Sequence, residues 1–251
     1  LGKSDVELIH ARGRLISVDE IELTPREGEP TVMPRPRALV LATGSRPIDL
    51  PSAPRDGRYI LNSDDILRME EKPGHFLILG GGYIGCEFAS IFAQLGSQVT
   101  LVEMENRLLP GMDPDLAKLL QRQFKQQGIT LRLGRRMEQA ATGKGVTLML
   151  DDGETIAGDQ LLVAVGRVPN TENLGLETGG VELEGRAIRV DNQMQTTVPG
   201  IFAIGDVTGQ MQLAHVATAQ GRVVVDNLLD ENANATMDYD QVPAAVFTHP
   251  E

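Results

Sequence analysis

The stretch FLILGGGYIGCEFASIFAQLGSQVTLVE, residues 76–103, decides the fold of this chain. Its first four residues are apolar, as in a buried strand, and three glycines follow them directly. Beyond the glycines, apolar residues at helical spacing predict a helix with the buried face Ile84, Phe88, Ile91, Phe92 and Leu95. Gly96 is placed to end this helix, and the apolar run 98–102 predicts a second strand. The stretch therefore predicts one compact β-α-β unit with short loops.

The glycines of this unit form the pattern G-x-G-x-x-G at Gly80, Gly82 and Gly85. The first allows a tight turn, the second lets a pyrophosphate approach the backbone, and the third lets helix and strand pack closely. Because the pattern follows a strand and opens a helix, it predicts that a dinucleotide binds with its pyrophosphate on the helix N-terminus. The alternative is a glycine-rich turn that holds no ligand.

An acidic residue, Glu103, stands at the end of the second strand of the unit. A carboxylate there accepts hydrogen bonds from the adenosine ribose and repels a 2′-phosphate, which favours NAD over NADP. Arg107 is the nearby cation that could instead pair with such a phosphate, and a solvated glutamate is the plain alternative for Glu103. Glu87 fits either an acid favoured by the helix dipole or a group near the nicotinamide, and Cys86 fits a small apolar filler.

The composition excludes several classes of function. A net charge of -12 argues against a nucleic-acid or anionic-membrane partner. No apolar run approaches the roughly 20 residues that span a bilayer. A single cysteine excludes an intrachain disulfide and a multi-cysteine metal site, and the four histidines lack ligand spacing, so no metal is expected.

The rest of the chain carries further strand and helix patterns. Strands are predicted at 6–16, 20–23, 38–42, 129–133, 145–150, 160–165 and 201–204. The run 38–42 is continuously apolar and predicts a fully buried strand, whereas 25–36 predicts a loop. A helix is predicted from Asp113-Pro114, an N-cap followed by proline, and a last helix at 213–229. The predicted buried face of the helix from Asp113 is Leu116, Leu119, Leu120 and Phe124.

Four short motifs stand in the order and spacing of a known family. They are Ala42-Thr43-Gly44, GGGYIGCE at 80–87, GRVPN at 166–170, and Gly205-Asp206. Together they resemble the pyridine-nucleotide disulfide oxidoreductases, and the resemblance covers the whole chain. Within the family, the dihydrolipoamide dehydrogenase branch is the most similar, on the stretches 106–120, 198–210, 213–215 and 243–251.

The resemblance implies an α/β fold in which a doubly wound, Rossmann-like NAD domain is inserted into a partial FAD domain of the same type. The implied domains are the first part of the FAD domain at 1–50, the NAD domain at 51–169, the second part of the FAD domain at 170–243, and the start of a dimer-interface domain at 244–251.

The resemblance also implies two sets of cofactor-binding residues. For NAD they are Gly80, Gly82, Tyr83, Ile84, Gly85, Glu87, Glu103 and Gly166. For FAD they are Ala42, Thr43, Gly44, Gly205, Asp206, Leu213, Ala214 and His215. In these roles Tyr83 would lie in the nicotinamide pocket, Asp206 would hold a ribityl hydroxyl of FAD, and His215 would lie beside the flavin.

The implied activity takes electrons from a small-molecule dithiol, or from a lipoyl domain, and passes them through a disulfide and FAD to NAD. The family's first FAD fingerprint, its redox-active cysteine pair and its His-Glu pair are absent from these 251 residues. No catalytic residue is therefore assigned, and we expect this polypeptide alone to be inactive and to hold FAD poorly.

Two kinds of alternative stay open. One is another enzyme of the family, such as mercuric reductase or a soluble transhydrogenase, and the other is a non-enzymatic NAD-binding module. The parent protein is expected to be a homodimer in the cytoplasm, with the mitochondrial or plastid matrix as the other possible compartments.

Overall fold

The computed structural model describes residues 6–230 and 232–249. They divide into two compact units, here called the central unit (Pro47–Arg167 with the segment from Pro243) and the flanking unit (the residues up to Arg46, with Val168–Val242). The strands are β1 (Ala11–Leu15), β2 (Glu20–Pro25), β3 (Thr31–Pro34), β4 (Leu39–Leu41), β5 (Ser45–Pro47), β6 (Ile60–Leu61), β7 (His75–Leu79), β8 (Gln98–Glu103), β9 (Thr130–Leu133), β10 (Met137–Thr142), β11 (Val146–Leu150), β12 (Thr155–Gly158), β13 (Gln160–Val163), β14 (Arg167–Pro169), β15 (Leu183–Glu184), β16 (Ala187–Ile188) and β17 (Ile201–Ala203). The helices are α1 (Ser63–Ile66), α2 (Tyr83–Gln94), α3 (Pro114–Gln126) and α4 (Ala214–Leu229), with 3₁₀ turns at Gly205–Thr208 and Tyr239–Gln241.

The central unit is built on a five-stranded sheet in the order β6-β13-β7-β8-β9, in which every pairing is parallel. The predicted β-α-β unit is confirmed as β7, α2 and β8. The α/β fold class with a parallel sheet is confirmed as well.

Both faces of this sheet are covered by other elements. Successive side chains of a strand point to opposite sides, so each strand contributes to the packing on both faces. Phe76 and Ile78 of β7 pack in the cluster that contains Phe92 of α2 and Phe124 of α3. On the other face, the β7 residue Leu77 packs with the antiparallel sheet β10-β11-β12. Burial of each such side chain stabilises the fold by about 1.5–3 kcal/mol.

The flanking unit combines three small sheets with helix α4. Strands β1, β2 and β3 form an antiparallel sheet, β15 pairs with β16, and β17 runs parallel to β4. Val216 and Val223 of α4 pack against Phe202 of β17, and this contact holds the helix beside the turn that follows the strand.

The buried face predicted for α2 is only partly right, since Phe92 is buried and Phe88 packs against the same core. Its most buried residues are Gly85, Cys86, Ala89, Ser90 and Phe92, whereas Ile91 is 44% and Leu95 55% exposed. The helix packs so close to the sheet that a Cβ atom on Gly85 would lie 1.9 Å from the carbonyl oxygen of Gly80. Small residues therefore face the sheet, and several of the larger apolar ones are displaced outward.

Helix α3 begins as predicted, with Asp113 accepting a hydrogen bond from the Asp115 N–H and proline following it. Its buried face is only partly as predicted. Leu120 and Phe124 are buried, but Leu116 and Leu119 are about half exposed, and Ala117 is buried in their place.

Two strand predictions in the flanking unit need correction. The predicted loop 25–36 contains strand β3, whose four residues are all exposed, so no alternation of apolar and polar residues marks it. The run 38–42 is not fully buried, because β4 pairs only with β17 among the described residues and Val40 is 39% exposed. In the central unit, β10 and β12 were also missed.

Candidate dinucleotide and flavin sites

The glycine loop joins β7 to α2 and has one position open to a ligand. Gly80 has φ +108, and a Cβ atom there would lie 2.4 Å from the Ala164 carbonyl oxygen. Gly85 is equally constrained by its contact with Gly80. At Gly82, by contrast, a Cβ atom would meet nothing within 4 Å. Packing therefore explains two of the glycines, while Gly82 faces open space of the kind that a pyrophosphate needs.

The start of α2 is suited to an anion. Gly82 is its N-cap residue and no side chain caps the helix there. The backbone N–H groups of the first turn lack intrahelical acceptors, and the helix dipole places partial positive charge at the same point. The loop thus combines room, hydrogen-bond donors and favourable electrostatics.

Glu103, at the end of β8, is fixed against this loop. Its side chain is almost buried, and Oε2 accepts a 2.5 Å hydrogen bond from the Gly81 N–H. Oε1 accepts one from the Glu105 N–H at 2.7 Å. The carboxylate is therefore held beside the glycine loop, where its remaining lone pairs can accept further donors.

Gly81 is a site residue that the sequence reasoning missed. A Cβ atom there would lie 2.7 Å from the Leu108 side chain and 3.1 Å from that of Glu103. Its carbonyl oxygen accepts the Leu109 N–H at 2.8 Å. The signal was the unbroken run of three glycines, since the pattern G-x-G requires only the first and third.

Arg107 is engaged in its own loop. Its guanidinium donates to the carbonyl oxygens of Met112 at 3.1 Å and Pro110 at 2.5 Å. In this arrangement the cation stabilises the chain that follows Glu103, which weakens the case for a site built around a 2′-phosphate.

The other predicted NAD residues lie around the loop. Tyr83 is partly exposed and Ile84 half-buried in the first turn of α2. Glu87 is one turn further on, and its Oε1 accepts the Phe247 N–H at 3.0 Å. Gly166, with φ +119, follows Ala164, whose carbonyl oxygen abuts Gly80.

Cys86 is fully buried in α2 and its Sγ donates to the Gly81 carbonyl oxygen at 3.4 Å. Burial, together with the carboxylates of Glu103 and Glu87, raises the pKa of its thiol to about 12. A thiol that stays protonated is a poor nucleophile, so the prediction that Cys86 is an apolar filler is confirmed by its burial.

The second cluster lies in the flanking unit, at the turn after β17. Asp206 is half-buried in the 3₁₀ turn, and its Oδ2 accepts a 2.6 Å hydrogen bond from the Ser45 hydroxyl. Gly205, immediately before it, has φ +73. Sequence reasoning missed Ser45, although it directly follows Ala42-Thr43-Gly44.

Asn170 ties the segment Thr43-Gly44 in place. Its N–H donates to the Gly44 carbonyl oxygen and its Nδ2 to that of Thr43, both at 2.9 Å. The Thr43 hydroxyl donates back to the Asn170 carbonyl oxygen at 2.8 Å. This reciprocal bonding explains why two distant motifs, at 42–44 and 166–170, occur together.

The N-terminus of α4 is the remaining part of the predicted flavin site. Leu213 is its N-cap residue and no side chain caps the helix. Ala214 and His215 are exposed in its first turn. The structure thus brings Asp206, Ser45 and Gly44 together, and α4 begins a few residues beyond them.

No group of three or more His, Cys, Asp or Glu side chains in the described residues could hold a metal ion. None of the helices in the same part of the chain is long and apolar enough to cross a membrane.

Comparison with known proteins shows the family of this chain. The sequence pattern of the pyridine nucleotide-disulphide oxidoreductases matches residues 2–221. This chain belongs to that family. Its relatives in the family include the dihydrolipoyl dehydrogenase of Bacillus subtilis, 40% identical over 85% of this chain and 46% of the relative. The dihydrolipoyl dehydrogenase of Chlamydia muridarum is 39% identical over 98% of this chain and 52% of the relative.

Solved structures of this pyridine nucleotide-disulphide oxidoreductase type share the fold. The crystal structure of LpdA from Mycobacterium tuberculosis matches with a TM-score of 0.89 and 34% identity, over 95% of this chain and 53% of that one. The chain therefore spans about half the length of the relatives it matches.

Proposed function

We propose that this chain forms the NAD-binding core, and part of the flavin-binding site, of an oxidoreductase that passes electrons from a dithiol through FAD to NAD. The observation that carries the proposal is the glycine loop, in which Gly82 alone has open space where a side chain would lie, beside the start of α2. Similarity to dihydrolipoyl dehydrogenases supports the choice of a dithiol substrate.

The residues of the central unit fit NAD. The open position at Gly82 and the uncapped helix start suit the pyrophosphate, and Glu103 suits the adenosine ribose. The two N–H donors on Glu103 hold its carboxylate at this place and leave acceptor capacity on both oxygens. A 2′-phosphate would meet this carboxylate, while the cation of Arg107 is already used by backbone carbonyls.

The residues of the flanking unit fit part of FAD. Asp206 offers a carboxylate with one oxygen bonded to Ser45, and its other oxygen can accept a ribityl hydroxyl. The start of α4, which no side chain caps, suits a group that gains negative charge, because the helix dipole favours an anion there. The nicotinamide and the flavin supply the hydride and electron transfer when they are bound, and the protein supplies binding and orientation.

These 251 residues lack the pair of cysteines that dithiol exchange requires. Cys86 is the only cysteine of the chain, is buried, and has a pKa raised to about 12. We therefore propose that these 251 residues bind and orient the cofactors, and that Glu103, the glycine loop and Asp206 carry that work.

Competition binding tests the proposal. NADH should bind the purified chain with one site per chain, and ADP-ribose should displace it, since the adenosine and pyrophosphate contacts are the ones described above. Nicotinamide mononucleotide, which lacks the adenosine half, should compete far more weakly. Failure of ADP-ribose to displace bound NADH would overturn the assignment of the glycine loop.

A further inference from the structure

Gln220 is a polar residue where the fold calls for an apolar one. It lies on α4 with 0% of its surface exposed, and the other buried residues of that helix are Val216, Val223 and Val224. Burying an amide in such surroundings is costly unless its donors and acceptor are paired. The amide therefore has to be matched by specific partners.

Both ends of the Gln220 amide are paired across the unit. Its Oε1 accepts a 2.5 Å hydrogen bond from the Gly205 N–H, and its Nε2 donates to the Tyr239 hydroxyl at 2.9 Å. The carbonyl oxygen of Gly205 accepts the Thr208 hydroxyl at 2.8 Å. Side chains thus hold both polar groups of Gly205, the residue before Asp206.

Gly205 needs this support because its backbone lies in the left-handed region, at φ +73. A glycine visits several backbone conformations at little cost, so the turn is not fixed by its own sequence. The bond from Gln220 selects one of these conformations. The Ser45 hydroxyl then donates to the carboxylate of Asp206 at 2.6 Å.

We propose that Gln220 is a positioning residue for Asp206, which fixes the Gly205–Asp206 turn and so aims the carboxylate at the ribityl hydroxyl of FAD. The inference rests on the proposed function, because Asp206 matters to a flavin only if this unit binds one. A side chain that merely filled the core would need neither the N–H donor of Gly205 nor the hydroxyl acceptor of Tyr239.

The test compares three variants of the chain, free of cofactor. Gln220→Met keeps the unbranched shape but removes the amide, Gln220→Glu keeps an acceptor for Gly205, and Tyr239→Phe removes only the distal partner. Hydrogen exchange of the Gly205 amide, followed by NMR, reports the turn. Amides of Ile201–Ala203 in β17 report general stability.

In the wild-type chain the Gly205 amide should be protected. Gln220→Met should accelerate its exchange by about tenfold to a hundredfold without a matching change in β17, since a buried N–H is left unpaired. Gln220→Glu and Tyr239→Phe should stay within about threefold of the wild type. A rescue by glutamate distinguishes a specific acceptor from simple filling of the core.

Two results would overturn the inference. One is a wild-type Gly205 amide that exchanges as fast as in an unstructured peptide. This result is obtained on the wild-type chain alone and does not depend on whether any variant folds. The other is unchanged exchange in Gln220→Met.

Titration with FAD, followed by flavin fluorescence, separates the two proposals. If the chain binds FAD, Gln220→Met should weaken binding by about tenfold or more, with Gln220→Glu near the wild type. If FAD does not bind while Gly205 behaves as expected, the flavin site fails and the positioning of the turn by Gln220 stands.

Discussion

The carboxylate of Glu103 accepts the Gly81 N–H at 2.5 Å, so the acidic end of β8 and the glycine loop after β7 form one rigid element. This contact joins two neighbouring parallel strands at their carboxyl ends, where open α/β sheets bind ligands. The Glu103 side chain, together with that of Leu108, leaves no room for a side chain at Gly81.

Substitution of Gly82 should separate cofactor binding from folding. Gly82 has φ −73 and open space around its Cα, so Gly82→Val should leave the fold intact while its side chain occupies the path of the pyrophosphate. We expect NADH affinity, measured by calorimetry, to fall by about a hundredfold or more. Gly143→Val, at another open glycine in a hairpin turn, is the matched control and should bind as the wild type does. Wild-type affinity in Gly82→Val would mean that the loop does not hold the cofactor.

Substitution of the neighbouring Gly81, by contrast, should lower the stability of the fold. In Gly81→Ala the new methyl group would lie 2.7 Å from the Leu108 side chain, so the loop or the buried Leu108 side chain must shift. Thermal or urea unfolding should show a loss of about 1–3 kcal/mol in the free energy of unfolding. Gly82→Ser, one residue further on, adds a side chain that favours a helix N-cap and should cost nothing measurable. Equal stability of both variants would contradict the packing described here.

The sequence predicted the β-α-β unit well because strand, glycine pattern and helix agree within a short stretch. It failed where contacts between elements determine which side chains are buried. The exposed residues Ile91 and Leu95 of α2 follow from the close packing at Gly85, and an apolar spacing cannot reveal this. Strand β3 was invisible because all four of its side chains are exposed.

The same distinction holds for the candidate sites. Gly82 and Glu103 could be predicted because each belongs to a pattern whose chemistry is known. Ser45 and Gln220 could not, because they act through contacts with residues 161 and 15 positions away in the chain. A glutamine on an apolar helix face marks Gln220 as unusual, but the sequence does not show that Gly205 is its partner.

Cys86 should resist thiol reagents in the folded chain. Because a pKa of about 12 replaces the ordinary 9.0, the thiolate fraction at pH 8 is smaller by roughly a thousandfold. The thiol stays protonated below its raised pKa, so the rate of modification by iodoacetamide should be very low at pH 8 and rise with pH without a plateau near 9. The same chain in concentrated urea is the control and should react at the rate of free cysteine. Rapid modification of the folded chain would contradict the buried environment of Cys86.

The 251-residue chain should not reduce NAD with dihydrolipoamide. Two thiols must exchange with the substrate, and the only cysteine is the buried Cys86. The absorbance of NADH at its near-ultraviolet maximum measures turnover, with added FAD present throughout. A full-length dihydrolipoyl dehydrogenase serves as the positive control, and turnover by this chain above the rate without protein would show that dithiol chemistry needs no cysteine pair here.

A calorimetric titration of the wild-type chain with NADH and, separately, with NADPH tests directly whether Glu103 and the glycine loop bind NAD. We expect NADH to bind at one site per chain, because the glycine loop and Glu103 lie within one compact unit. We expect NADPH to bind more weakly by roughly thirtyfold or more, since its 2′-phosphate meets the carboxylate of Glu103 at short range. Absence of NADH binding, or NADPH binding as tight as NADH, would contradict this assignment.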